Sequence, residues 1–232
     1  MLVAGRPLAV ESAAAASAAV IHAWVPGEEG PEAVADVLFG AANPGGKLPI
    51  TVPRQVGQIP IYYGHKPSGG RSNWKGPYVD GSNEPLWPFG FGLSYTRFEV
   101  RNLRLDRRTV AIDGVFEASV EVANVGDRAG DEVVQLYIRD VEASVTRPVK
   151  ELRGFKRVSL AAGEVRRVCF GLAVEQLAFT GTDGSLVIEP GKVTVMAGTS
   201  SEDLPCTADI EITGEPVSNV RRSRYFTRVL VE

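Results

Sequence analysis

Residues suited to holding a sugar crowd one short stretch of this chain: Tyr62, Tyr63, His65, Lys66, Arg71, Trp74, Lys75, Tyr78 and Asp80 stand in a segment rich in Gly, Ser and Pro. A pyranose presents an apolar face that an aromatic ring can cover, and hydroxyls that Arg, Asp and His can hydrogen-bond. Loops at domain edges are common mounts for such sites. Arg71, Trp74, Tyr78 and Asp80 are therefore the candidate substrate-binding residues. The competing role is packing of the loop on a neighbouring domain, and packing is the expected role of Tyr62 and Tyr63. His65 is the more open of the two histidines.

Other chemistries find little support. Gly40 to Lys47 has the wrong glycine spacing for a phosphate loop, and Leu48 stands where a Ser or Thr would have to reach magnesium. His22 and His65 lack neighbouring Cys or carboxylate ligands at metal-binding spacing, so no zinc site and no cofactor are expected. His22 lies within an apolar run, where a hydrogen-bonded structural role is favoured. The formal net charge of -3 gives no reason to expect nucleic acid or an anionic membrane as partner. The one basic cluster, Arg221, Arg222, Arg224 and Arg228, is interleaved with Tyr225, Phe226, Val229 and Leu230, a pattern that suits docking of the tail on a neighbouring surface.

Composition is ordinary for a globular chain, at 44% hydrophobic and 23% charged residues, and 232 residues can hold one large domain or two small ones. The texture changes along it. Met1 to Ala4 reads as the end of a buried strand, Ser12 to Ala19 as helix-permissive, and Val20 to Val25 as a second strand stopped by Pro26-Gly27. Pro31 and Glu32 open a helix whose stripe is Ala33, Val34, Val37 and Leu38, and Gly40 closes it. Asn43 to Val52 supplies a turn and another short strand. Two or three strands are too few for a doubly wound sheet, so this part reads as the last portion of an α/β domain.

Beyond Phe98 the period is two. Strands are expected near Val100 to Leu105, at Phe116 to Val122, Val134 to Ile138, Val149 to Phe155, Val165 to Leu172, Ser185 to Ile188, Lys192 to Ala197 and Ala208 to Thr213. That spacing fits an immunoglobulin-like sandwich over 98–214, with a tail over 215–232. Alternation puts Cys169 on the face opposite Val168, Phe170 and Leu172, towards solvent, and Cys206 with the core residues Ala208, Ile210 and Ile212. This opposition argues against a disulfide. With no signal-peptide pattern and no membrane-length apolar run, it points to a reducing, cytoplasmic compartment. Between the two textures lies Pro85-Leu-Trp-Pro-Phe-Gly-Phe-Gly-Leu-Ser-Tyr-Thr-Arg-Phe98, read as a packed seam through buried Trp87, Phe89, Phe91 and Tyr95.

The seam resembles the junction between the second and third domains of family three glycoside hydrolases, the β-glucosidase and β-xylosidase family. The resemblance extends to Asn124-x-Gly126, Gly130-Asp-Glu-Val-Val-Gln-Leu-Tyr137, Arg147-Pro148-x-Lys150-Glu-Leu-x-Gly-Phe155, Leu177-Ala-Phe179 and Pro190-Gly-Lys-x-x-Val195, which are similar to the family's fibronectin type III-like domain. Upstream, Trp24-x-Pro-Gly-x-Glu-Gly30, Ala35-Asp-Val-Leu-Phe-Gly40, Asn43-Pro-Gly-Gly-Lys-Leu-Pro49 and Lys66-Pro-Ser-Gly-Gly-Arg-Ser72 resemble the end of its α/β sandwich domain. The implied organisation is an incomplete α/β sandwich domain over 1–97, with a cleft loop at 62–80, followed by the all-β sandwich.

The resemblance implies a retaining glycosidase whose Asp nucleophile sits on an N-terminal barrel and whose Glu acid/base, in many members, sits earlier in the α/β domain. Such a barrel takes about 250 residues, more than this chain holds. Neither motif is found here, and no catalytic residue is assigned. Glu28 and Glu29 are adjacent in a loop before a helix N-terminus, which favours negative charge without catalysis. The expected function is the C-terminal part of an exo-acting β-glucosidase or β-xylosidase, inactive alone, meeting a β-linked oligosaccharide or an aryl or alkyl glycoside through the full-length parent. The alternatives are a stand-alone carbohydrate-binding module, or half of a split enzyme that docks with a separate barrel-containing chain.

Overall fold

Alternating apolar residues dominate the second half of the chain, and they build two stacked sheets. The computed structural model describes residues 1–67 and 81–232. In residues 1–97 the elements are short: helix α1 spans Glu11–Ala15, α2 spans Gly30–Leu38, and a single 3₁₀ turn spans Val56–Gln58. Pro31 occupies the first turn of α2, and Gly40 follows the helix at φ +80°, a conformation that costs glycine little.

The strands expected at Met1 to Ala4 and Val20 to Val25 reduce to one parallel bridge. The Leu2 amide donates to Ile21 O at 2.7 Å, and the Ala23 amide donates to Leu2 O at 2.9 Å. Trp24, at φ +55°, turns the chain out of the ladder and stacks on His22 with 4.0 Å between centroids. The His22 ring also bonds Ala4 O at 3.1 Å, the structural role its apolar setting favours. The strand expected before Val52 is likewise one antiparallel bridge, Val52 to Trp87.

The sandwich comprises strands β1 (Phe98–Leu105), β2 (Thr109–Ala111), β3 (Val115–Asn124), β4 (Gly130–Asp140), β5 (Glu151–Leu160), β6 (Val165–Ala173), β7 (Phe179–Thr180), β8 (Leu186–Val187), β9 (Gly191–Gly198), β10 (Cys206–Thr213) and β11 (Arg228–Val231). One sheet runs β1-β3-β6-β11, the other β2-β10-β9-β4-β5, and β7-β8 form a small separate pair. The core lies between the two large sheets. Phe116, Val120, Val134, Leu136, Ile138, Phe170, Leu172, Val195 and Ile210 are each almost wholly shielded from water.

Two expectations need correction. The sandwich does not stop near residue 214, because β11 in the tail pairs antiparallel with β6 and closes that sheet's edge. Cys169 points away from Val168 and Phe170 as expected but does not meet solvent: β3 and β11 flank it, with Ser119 and Leu230 as its cross-strand partners, and it is buried. Burial first, then the Glu117 and Glu232 carboxylates, push its thiol above the ordinary range. Cys206 packs on the core and donates to Val100 O at 3.4 Å, and both cysteines are free.

Phe170 is fully buried, and its ring fills the space that a Cβ on Gly154 would enter at 2.7 Å. Phe170→Ala should destabilise the chain by about 3 to 5 kcal/mol. Urea unfolding followed by intrinsic fluorescence would measure this as a lower midpoint at an unchanged slope.

Candidate functional site

The four residues chosen for sugar binding, Arg71, Trp74, Tyr78 and Asp80, lie outside the described residues. What the structure defines is how the two ends of their segment are held. Tyr63 is wedged against Phe89, with 4.7 Å between ring centroids, and edge-on against Tyr137 at 5.5 Å. Tyr62 stays 52% exposed and borders a crevice with Thr51, Pro85, Pro88 and Ser201, so Tyr63 is the more fully packed of the two tyrosines. The carbonyl of His65 accepts the Val149 amide at 2.9 Å, and its ring Nδ1 donates to Lys66 O at 2.8 Å. On the far side, buried Gln58 accepts the Arg54 amide at 2.6 Å and donates to Ser82 O and Glu84 O at 2.7 and 3.0 Å. One stem is thus fastened to the sandwich and the other to the α/β part.

Tyr63 rests on β4, whose side chains are buried on both faces. Val134, Leu136 and Ile138 face the sandwich core, while Gln135 and Tyr137, of the opposite parity, are covered from the seam side. Tyr137 Oη donates to Gln135 Oε1 at 2.7 Å, and Gln135 Nε2 donates to Gly90 O at 3.2 Å and Thr199 O at 2.5 Å. Burial, ahead of the nearby Tyr63 and Glu202, keeps the Tyr137 hydroxyl protonated far beyond its ordinary range. Gly90, at φ +81°, lies so close that a Cβ there would meet Gln135 Oε1 at 2.2 Å. The Phe89 carbonyl accepts the Ser201 amide at 2.9 Å, and Lys150 Nζ reaches Ser201 O and Glu202.

At the start of β4, Glu132 forms an ion pair with Lys47 at 2.7 Å, the side chains being 5% and 10% exposed. Lys47 Nζ also donates to Gly92 O at 3.2 Å, and a Cβ on Gly92 would lie 2.4 Å from Gly46 O. Asn43 spans the same junction: its Oδ1 accepts Ser94 Oγ and the Tyr95 amide at 2.9 and 2.8 Å, and its Nδ2 donates to Ala129 O at 2.9 Å. Asn124 Oδ1 accepts Thr96 Oγ1 at 2.7 Å, and its Nδ2 donates to Arg128 O and Leu160 O.

The seam was expected to be held by buried rings. Trp87, Phe89 and Phe91 are only half-buried and Tyr95 is 46% exposed, its hydroxyl donating to Val37 O at 2.5 Å. Backbone bonds among Leu48, Val52, Trp87, Gly90 and Phe91, with the buried side chains of Glu132, Gln135 and Asn124 and the half-buried Lys47 and Asn43, carry the junction instead. Composition did not single those five out. The available signal was polarity inside an apolar strand: Glu132 and Gln135 interrupt Val133, Val134 and Leu136.

Among the described residues no three His, Cys, Asp or Glu side chains gather as a metal site would require, and no helix is long and apolar enough to cross a membrane. Glu28 and Glu29 are exposed at the turn that begins α2.

The end of an α/β domain, fixed by a polar seam to a fibronectin type III-like sandwich, defines a module of carbohydrate-active enzymes. Residues 1–95 match the glycosyl hydrolase family 3 C-terminal domain, and residues 132–201 match the fibronectin type III-like domain. The chain belongs to the family three glycoside hydrolases, of which it is a C-terminal part. It is 46% identical over 207 residues to a periplasmic β-glucosidase of Salmonella typhimurium, covering 87% of this chain and 27% of that protein. A β-xylosidase of Formosa agariphila is 44% identical over 202 residues, covering 87% of this chain and 28% of its own length. A crystal structure of a Listeria innocua β-glucosidase in complex with glucose superimposes with a TM-score of 0.84 at 40% identity, covering 90% of this chain and 30% of that one. The chain thus spans between a quarter and a third of the relatives it matches.

Burial pushes the Glu132 carboxyl above its ordinary 4.5, and Lys47 pulls it back only in part. Such a group favours the folded state most below pH 4.5, and that contribution is lost as pH rises through the raised value. Lys47→Met leaves the carboxylate buried without a counter-charge and should cost about 3 to 5 kcal/mol at neutral pH. The deficit should shrink as pH falls and Glu132 protonates, and Lys47→Met/Glu132→Leu should recover most of it. Thermal melts between pH 4 and 8 would check both.

Proposed function

We propose that this chain supplies the rim and scaffold of the cleft in a retaining, exo-acting β-glycosidase that releases terminal β-glucosyl or β-xylosyl units, and that it does not hydrolyse glycosides by itself. The observation that carries this reading is where the apolar surface is left bare. In the α/β part Met1, Val3, Val25, Leu38, Phe39, Val56 and Ile59 are all more than half exposed, Phe39 to 89%, apart from a separate group of bare rings on the sandwich and tail, Phe155, Tyr225 and Phe226. Burying one such side chain is worth about 1.5 to 3 kcal/mol, so a surface of this kind is built to be covered. The cover this reading assigns is the rest of the enzyme, including the barrel with the nucleophile.

In this reading the sandwich works at a distance from the chemistry. It holds Tyr63 and His65, and with them the segment bearing Arg71, Trp74, Tyr78 and Asp80, over the mouth of the cleft, where ring stacking and charge-assisted hydrogen bonds would orient the terminal sugar. A free-standing carbohydrate-binding module is disfavoured by the same bare surface, which would drive association of an isolated module.

The purified chain, given 4-nitrophenyl β-glucoside or β-xyloside, should release no nitrophenol above the buffer rate. Added to a separately produced barrel-containing portion of the parent, it should restore turnover, with Trp74→Ala raising KM more than it lowers kcat. Turnover by the chain alone would overturn the reading.

A further inference from the structure

The tail lies outside both matched domain ranges, and it carries the barest large apolar side chain among the described residues: Phe226 is 93% exposed and its neighbour Tyr225 71%. The rings do not hang from a loose end. The Ser223 amide and hydroxyl donate to the two carboxylate oxygens of Glu175, each at 2.8 Å, and Arg222 donates to Ala178 O. Beyond the rings, the Thr227 hydroxyl donates to Arg153 O, and from Arg228 the chain is β11, in register with β6. A backbone tied on both sides holds the two rings outward.

Phe226 stands between two grooves. On one side Leu152, Phe155, Tyr225, Phe226 and Val229 line a space of about 360 Å³, with Phe155 itself 63% exposed. On the other, Phe226 borders a groove of about 490 Å³ lined by Asp106, Arg107, Glu117, Arg224 and Arg228. Asp106 in that groove is already fixed: its Oδ2 accepts Arg107 Nε and Nη2 at 2.9 and 2.7 Å, and its Oδ1 accepts the Glu117 amide at 2.9 Å. Both volumes are those of small-ligand sites. Three guanidinium groups and two carboxylates border the second groove, but Arg107 is paired with Asp106 at 2.7 Å and Arg224 lies 3.8 Å from Glu175, which leaves Glu117 and Arg228 as one charge of each sign. Flat rings beside fixed donors and acceptors of mixed sign suit a neutral, polyhydroxylated ligand with one apolar face.

We propose that Phe226, with Tyr225 and Phe155, forms a stacking platform for a neutral β-linked oligosaccharide, on the outer edge of the sandwich. The choice of a β-linked glycan rests on the glycosidase reading above; the platform itself rests on the anchored tail. It would hold a polymer near the enzyme while its chain end is processed.

Isothermal titration of the full chain with cellopentaose and with xylopentaose tests the platform, supported by retardation in native gels containing hydroxyethylcellulose. At least one pentasaccharide should bind, and Phe226→Ala should weaken that binding about tenfold, the size expected for loss of one ring contact. Because the ring is exposed, the melting temperature should not change. Trp74→Ala should leave this binding within about twofold of the unaltered chain. Binding of neither oligosaccharide, or binding lost through Trp74→Ala and retained in Phe226→Ala, would overturn the proposal. So would a dimer in sedimentation that Phe226→Ala converts to monomer, since a second copy would then be the occupant of this face. Nitrophenyl glycoside hydrolysis is a separate readout: activity of the chain alone would defeat the proposed function and leave the platform standing, whereas failure of the titrations would do the reverse.

Discussion

The Lys47–Glu132 pair fixes how the two parts of this chain meet. It is the most deeply buried ion pair among the described residues, and its partners come from opposite sides of the junction. Taking two charges out of water is costly, and their attraction offsets that cost only in good geometry with the remaining hydrogen bonds satisfied. Here the lysine also reaches Gly92 O, and the carboxylate also accepts the Val133 amide at 2.7 Å. A slide of either part would break several such bonds at once, whereas a greasy interface could slide at little expense. The seam therefore specifies one arrangement, and the loop stems anchored beside it inherit that precision.

This explains why the aromatic seam is less buried than its composition suggests. Trp87, Phe89 and Phe91 belong to a backbone that zips onto Leu48 and Val52, and their carbonyls and amides matter as much as their rings. Gly90 and Gly92 are required by close approach: side chains there would strike Gln135 and the Gly46 carbonyl. Gly-Phe-Gly is thus a device for bringing a backbone within hydrogen-bonding distance of buried polar side chains, with the rings filling the space beside it.

Much of the sandwich was legible because a half-buried strand writes period two into its sequence, as Phe116, Ala118, Val120 and Val122 do in β3. The strands that escaped are the short ones, whose few residues do not show a period. Strand β2 is three residues long, β7 two, and β11 four, the last beginning with an exposed arginine. Cys169 escaped for a different reason: alternation tells which face a residue occupies but not whether strands pair on both sides of it, as β3 and β11 do. In the α/β part, helix α2 was legible from Pro31, its apolar stripe and Gly40, but the expected strands are single bridges, Leu2 to His22 parallel and Val52 to Trp87 antiparallel, because a strand is defined by its neighbours as well as by its own apolar run. The seam's polar anchors were the least legible of all. Asn43 and Asn124 read as turn residues, and only tertiary structure shows that each turn closes against the other domain.

One strand supports the aromatic rim to which function is assigned. In β5 the register against β4 slips after Gly154, leaving Arg153 as an extra residue opposite Leu136 and Tyr137. Burial lowers the proton affinity of the Arg153 side chain against the pull of Glu151, to which it donates at 2.9 Å. The bulge presents the Arg153 carbonyl outward to Thr227, the residue next to Phe226. The irregularity thereby serves the aromatic rim, through the Thr227 hydroxyl that donates to the Arg153 carbonyl. The sandwich thus ties down both the backbone at His65 and the backbone beside Phe226.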